Sequence, residues 1–314
     1  MKTNTKKNIY LVVETLSILI GTSLLAVFIN QSSFSKPYYK WLIYSPLVLF
    51  QGLWFYRLYI VGHEASHGKL FEAHKSMNHI FGSIILLPIM TPLNVFRKIH
   101  LYHHGFNRKD NHTSVLDTFV TQRLTPLKKA YYYFVWYLAV FFGGFFVHSL
   151  VSVFLFLFVP PKLAQKISPA FKGWTGKDQF EAILGFGLGV GLHVGVAFLF
   201  GKDIYLWTLG YPLLAFAWIL SLFVYIFHYK TTVGDQVRYN VRALQPMPVL
   251  TWILINFNEH ATHHQRPNIP WYDLRKKRVK LPKEFADKNQ NTAHIFSAIL
   301  QQLKGPRIIN ESHH

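Results

Sequence analysis

Eight of the seventeen histidines in this 314-residue chain fall in three short windows: His63-x-x-x-His67, His100-x-x-His103-His104 and His260-x-x-His263-His264. Neutral imidazole is the commonest side-chain metal ligand. On a helix, residues three and four apart share a face, so each window can aim two or three ring nitrogens at one point. A single HxxxH arises by chance; three windows, two of them HxxHH, do not. Eight imidazoles in three clusters point to a site of more than one metal ion. The chain has no cysteine, which excludes disulfides, thiolate metal sites and cysteine nucleophiles. The ligands must come from His, Asp and Glu.

The first window also reads His63-Glu64-Ala65-Ser66-His67, the H-E-x-x-H pattern of a zinc metalloprotease whose glutamate is the general base. That reading leaves six clustered histidines unexplained. A membrane-embedded protease also holds the motif inside a span, whereas His63 sits at the end of one. A metal transporter would carry its ligands near the midplane of its spans, and these windows again sit at span ends.

The elements that position the windows are apolar helices. Half of the residues (51%) are hydrophobic and 17% aromatic, yet the net charge is +19. Those facts conflict in a soluble protein and agree if the apolar residues lie in lipid and the basic ones in flanking loops. The charge is scattered between apolar runs and no nucleic-acid module is present, which sets nucleic-acid binding aside. The N-terminal MKTNTKKNIY resembles the start of a signal peptide. The apolar stretch after it is long and lacks a small-residue cleavage site, so it reads as a first span.

Runs long enough to span, against roughly 20 residues needed for a helix, lie at about 9–29, 41–60, 131–159, 179–200 and 204–227. The runs 80–96 and 247–257 are too short to cross alone and are expected to lie at the interface or re-enter. Ligands from all three windows must share one side of the membrane. The first two runs form a hairpin that returns the chain just before His63. Between the second and third windows the crossings must be even, yet three long runs lie there. The loop 160–178 carries Lys162, Lys166, Lys172 and Lys177 against Asp178, while 201–203 is only Gly-Lys-Asp. The positive-inside rule places the first loop in the cytoplasm and the second outside. The run 131–159, interrupted at Gly143-Gly144, therefore begins and ends inside.

The expected fold is one all-α integral membrane domain over 1–314, with four transmembrane helices in two hairpins, interfacial helices and both termini inside. A cytoplasmic histidine-rich cap comprises 61–130 and 228–314, and its basic run Arg275-Lys276-Lys277-Arg278 agrees with that side. Ile295, Phe296, Ile299, Leu300 and Leu303 form one helical face, expected to pack on the cap. Gly187, Gly191 and Gly195 form a small-residue stripe expected to let membrane helices approach closely. No βαβ unit surrounds them, so a dinucleotide site is excluded.

The order of spans and the segments GHEASHGKL, IHLYHHGF and NEHATHHQRP resemble the membrane fatty acid desaturase superfamily over about residues 40–275. That superfamily includes acyl-lipid and acyl-CoA desaturases, carotenoid ketolases and hydroxylases, and more distantly alkane hydroxylases. The resemblance implies a non-haem di-iron centre with His63, His67, His100, His103, His104, His260, His263 and His264 as ligands. It implies a ninth ligand from the cytoplasmic end of the fourth span, matched here by His228 in YIFHYKT. Some acyl-CoA members place an asparagine four residues earlier, where this chain has Val224. His260 in place of a glutamine, and the lack of a cytochrome b5 domain, argue against front-end desaturases.

Removing hydrogen from an unactivated methylene needs an oxidant that side chains alone cannot supply. The resemblance thus implies O2-dependent desaturation of a fatty acyl chain by two Fe ions, with electrons from a ferredoxin or cytochrome b5. The alternative is hydroxylation or ketolation of a carotenoid, alkane or other lipid on the same centre. The membrane would be a bacterial plasma membrane or the endoplasmic reticulum. Neutral ligands depend on polar partners to fix each tautomer, and the candidates are Glu64, Asp110, Asp117, Asp235, Asn258 and Glu259. His148 and His193, inside apolar runs, are expected to be hydrogen-bonded core residues. His74, His79 and His112 flank the windows, and His294, His313 and His314 are expected to be solvated.

Overall fold

The computed structural model describes residues 4–112 and 117–311; His313 and His314 lie outside them. The chain opens with α1 (Thr5–Gln31), α2 (Pro37–Ser66), α3 (Lys75–Leu86) and α4 (Leu93–Phe106). Strand β1 (Thr118–Thr121) leads to α5 (Pro126–Phe141), α6 (Gly144–Phe158), α7 (Pro161–Ile167) and α8 (Gly176–Phe200). A short α9 (Lys202–Tyr205) continues through a π turn, Leu206–Gly210, into α10 (Tyr211–Ile226). Then come α11 (Pro248–Ile253), α12 (His260–Gln265), α13 (Lys283–Lys288), α14 (Ile295–Gln301) and β2 (Arg307–Asn310). The fold is mostly helical, and β1 and β2 form one small parallel pair with Thr118 opposite Arg307.

Among the described residues, three unbroken helices are long and apolar enough to cross a membrane, Thr5–Gln31, Gly176–Phe200 and Lys202–Ile226, or up to five if each of two bent pairs is one span. The three contain the runs 9–29 and 179–200 and all but the last residue of 204–227. The run 41–60 lies in α2, a 30-residue helix that is not among the three, because Gln51, Arg57 and several Tyr and Trp dilute its apolar stretch. The run 131–159 is broken into α5 and α6, bent by 88° at Gly143, whose φ of +77° suits a residue without Cβ. The run 80–96 lies in a second bent pair, Lys75–Ile89 and Leu93–Phe106, at 92°. The run 247–257 forms only α11 and a turn.

The chain divides into two compact units, residues 1–98 with 149–219, and residues 99–148 with 220–314. In the first unit α1 and α2 are tied by polar groups inside apolar helices. Trp54 Nε1 donates to Thr15 O at 2.8 Å, and Arg57 donates to Thr15 Oγ1 at 3.1 Å and pairs with Glu14. At the other end of α2, Tyr44 stacks on Trp207 at 4.0 Å and donates to its backbone oxygen. Helix α8 starts with a capping box, Thr175 and Asp178 each accepting the other's backbone N–H. It ends at Gly201, φ +88°.

The glycine stripe does not pack as expected. Among the described residues a Cβ on Gly187, Gly191 or Gly195 would meet nothing within 4 Å, whereas on Gly189 it would lie 3.1 Å from Leu87 O and Met90 Cα. The close approach in α8 therefore uses the face of Gly185 and Gly189, two residues out of step and so nearly opposite the stripe read from the sequence. His193 keeps its expected role, hydrogen-bonded to Pro88 O at 3.0 Å.

In the second unit the C-terminal segment docks on α5 and α10. Trp136 Nε1 donates to Gln302 O at 2.9 Å, Gln302 Nε2 to Leu222 O at 3.0 Å and Tyr229 OH to Gly305 O at 2.7 Å. The expected packing face of α14 is split. Ile295 is buried, but Phe296, Leu300 and Leu303 are all more than half exposed. The buried side is completed by Ala298, whose small size hid it from the apolar pattern.

Candidate metal centre

Within the second unit, seven histidines from three places in the chain come together. His100, His103 and His104 lie in the last two turns of α4. His260, His263 and His264 lie on α12, whose five residues His260 to His264 are all buried. A 3-10 turn and Asn256 in the left-handed region (φ 64°) start α12 abruptly. His228 follows α10, its N–H bonded back to Tyr225 O.

The ring nitrogens form two groups. His104 Nε2 lies 3.0 Å from His100 Nε2 and 2.9 Å from His263 Nε2. His264 Nε2 lies 3.2 Å from His103 Nε2 and 3.1 Å from His260 Nε2, and His228 Nε2 lies 3.1 Å from His260 Nε2. Hydrogen bonds among the rings cannot satisfy this arrangement, since an Nε2 with one proton serves one neighbour. It suits a cation. Imidazole nitrogens sit about 2.0–2.1 Å from a bound metal, which puts adjacent ligands about 3 Å apart. Each group has the chemistry to hold one metal ion.

In the first unit, His63 and His67 face each other with ring centroids 4.8 Å apart. His67 caps α2, and the helix end is pinned by Asn78 Nδ2 on Ala65 O at 2.9 Å and Arg97 Nε on Ser66 O at 2.9 Å. Burial pulls the His67 ring down to about 4, helped by Lys69 and Arg97. Burial also pulls His103 down to about 4, and His228 and His264 well below the ordinary imidazole value. Rings held neutral are rings with a lone pair to give.

The expected polar partners divide. Glu64 lies 3.5 Å from His63 Nδ1 and is buried. Glu259, with no exposed surface, is clamped by Arg278, whose Nε donates to Oε2 at 2.7 Å. Asp117 pairs with Arg108 at 2.6 Å and touches no window histidine among the contacts seen. Asp110 caps His112 N, Asn258 Nδ2 reaches Leu244 O, and Asp235 is exposed. His112 pairs with Glu311 at the surface, and His74, His79 and His294 are exposed. The partner the sequence did not disclose is the backbone oxygen of Asn240, 3.3 Å from His228 Nδ1. A main-chain acceptor twelve residues away leaves no side-chain signature.

Residues 39–296 match the family described as fatty acid desaturase. Over 251 residues, 76% of this chain, it is 26% identical to an sn-1 acyl-lipid omega-3 desaturase (ferredoxin) of Nostoc sp. (strain 36). It is 26% identical over 258 residues to the protein of the same description from Synechocystis sp.. A chloroplastic omega-3 fatty acid desaturase of Glycine max is 23% identical over 84% of this chain. The matches span 67%, 67% and 57% of those relatives' own lengths. The match over 39–296 takes in all three windows and His228: the chain belongs to the fatty acid desaturase family and is an oxidoreductase.

Proposed function

We propose that the chain desaturates a fatty acyl chain of a membrane lipid, using O2 and electrons from a ferredoxin. The observation that carries this reading is the pair of convergent imidazole groups in a chain of this family. His103, His228, His260 and His264 would hold one iron ion. His100, His104 and His263 would hold the other, joined on the sequence pattern by His63 and His67. Two iron ions held there would supply the oxidising power that the side chains lack. In the balanced reaction two adjacent methylenes lose two hydrogens, O2 becomes two waters, and the donor provides two electrons with two protons. The neutral histidines contribute lone pairs without cancelling the metal's charge. Glu64 and Asn240 fix ring orientation, and Arg278 neutralises the buried Glu259 beside His260.

The relatives named for ferredoxin support that donor over cytochrome b5. The four spans are placed at 9–29, 41–60, 179–200 and 204–227, with all three windows and both termini on the cytoplasmic side. The bent α5–α6 pair supports a run that enters and returns rather than crossing.

The test is the fatty-acid profile of cells expressing the chain with a ferredoxin system, beside cells expressing His263→Ala. A new unsaturated acid made only by the intact chain is expected. Identical profiles would remove the desaturase reading in favour of a hydroxylase or ketolase on another lipid.

A further inference from the structure

His228 stands outside the three windows, in a turn after α10, so helix periodicity does not aim it. Its Nδ1 faces the Asn240 carbonyl at 3.3 Å. A carbonyl only accepts, so Nδ1 carries the proton and Nε2 keeps its lone pair, 3.1 Å from that of His260. The same oxygen accepts Thr231 Oγ1 at 3.1 Å and Asn107 Nδ2 at 2.9 Å.

The Asn240 side chain, in a residue only 1% exposed, is spent on holding that peptide in place. Its Nδ2 donates to the backbone oxygens of Arg108 at 3.0 Å and Gly234 at 2.9 Å, and its Oδ1 accepts from Thr232 Oγ1 at 2.7 Å. Asn107 and Arg108 come three and four residues after His104, just past the end of α4, and Thr231, Thr232 and Gly234 follow His228. One buried amide thus ties the end of the helix bearing His103 to the turn bearing His228. It needs two donors and an acceptor at once, which neither Asp nor Ala supplies.

We propose that Asn240 is the positioning residue of the ninth histidine. It sets His228 against His103 so that the four nitrogens of their group close on one ion. This rests on the two-metal reading above.

The test uses the purified full chain, stripped of metal and titrated with Co(II), reading metal per chain and the visible spectrum of histidine-bound cobalt. The wild type is expected to take two ions. Asn240→Ala is expected to take about one, with the spectrum of His228→Ala. Asn240→Ser, which keeps a single hydroxyl, serves if the alanine variant is not recovered. Asn291→Ala controls for general loosening, because Asn291 supports a nearby peptide, Ala243 N, at 2.7 Å; it is expected to keep two ions. Two ions in the Asn240 variant, or equal loss in Asn291→Ala, would overturn the assignment. A wild type that takes fewer than two ions would overturn the two-metal reading instead, and the role of Asn240 with it.

Discussion

At the residue scale, the site is built from groups whose burial would be costly without a partner. Burial holds the folded His103 ring at a pKa of about 4, while an unfolded histidine titrates near about 6.5. Between those values the unfolded chain binds a proton that the folded one does not, so stability falls as pH falls through that window. His228 and His264 act with the same sign. The melting temperature of the metal-free protein, followed by tryptophan fluorescence, is expected to drop steadily from about pH 6.5 downward. A profile flat to pH 4 would mean that these rings are not buried neutral. Glu259 gives a second prediction. It is fully buried and Arg278 is 39% exposed on its side chain, so Arg278→Ala leaves a buried carboxylate unpaired. Breaking such a pair costs about 2–3 kcal/mol once solvent screening of the arginine is discounted. Much of that loss should return in the double variant with Glu259→Gln, read by denaturant unfolding in detergent.

At the scale of elements, the helices meet where the sequence does not advertise it. A Cβ on Gly52 of α2 would lie 2.6 Å from Ala215 Cβ and 2.8 Å from the Ala215 backbone on α10. Gly52→Ala is therefore expected to force those helices apart at a cost of about 1–3 kcal/mol. Gly191→Ala, with nothing within 4 Å, is expected to be neutral or to gain up to about 1 kcal/mol from helix propensity. Thermal unfolding of both variants in one detergent decides it, and the reverse order would refute this packing. The histidine windows were legible because ligand spacing repeats with the helix. The break at Gly143-Gly144 was legible because paired glycines interrupt an apolar run. The packing face of α8 was not, since glycines occur on both sides of that helix and spacing cannot say which side has a neighbour. The exposed half of α14 was missed for the same reason: an apolar stripe records that residues share a face, not how much of the face is covered.

At the scale of the molecule, the proposed reaction requires the histidine windows to lie on the same side of the bilayer as the electron donor. The division of the chain into two units was not legible, because it cuts through α4, α6 and α10 and joins segments far apart in sequence. The topology was argued from charge, and the absence of cysteine makes it directly measurable. Single cysteines placed at Lys36, Gly173 and Lys202 label independently on an empty background. Gly173 is in the lysine-rich turn before α8 and Lys202 follows it by one helix length, so a spanning α8 places them on opposite faces. The α1–α2 turn at Lys36 shares the side of Lys202 only if α2 crosses despite its polar residues. With a membrane-impermeant maleimide on intact cells, Lys36→Cys and Lys202→Cys are expected to label and Gly173→Cys only after lysis. Labelling of Gly173→Cys without lysis would invert the membrane orientation. Protection of Lys36→Cys alone would show that the first two helices do not form a crossing hairpin, and the four-span arrangement would fall with them.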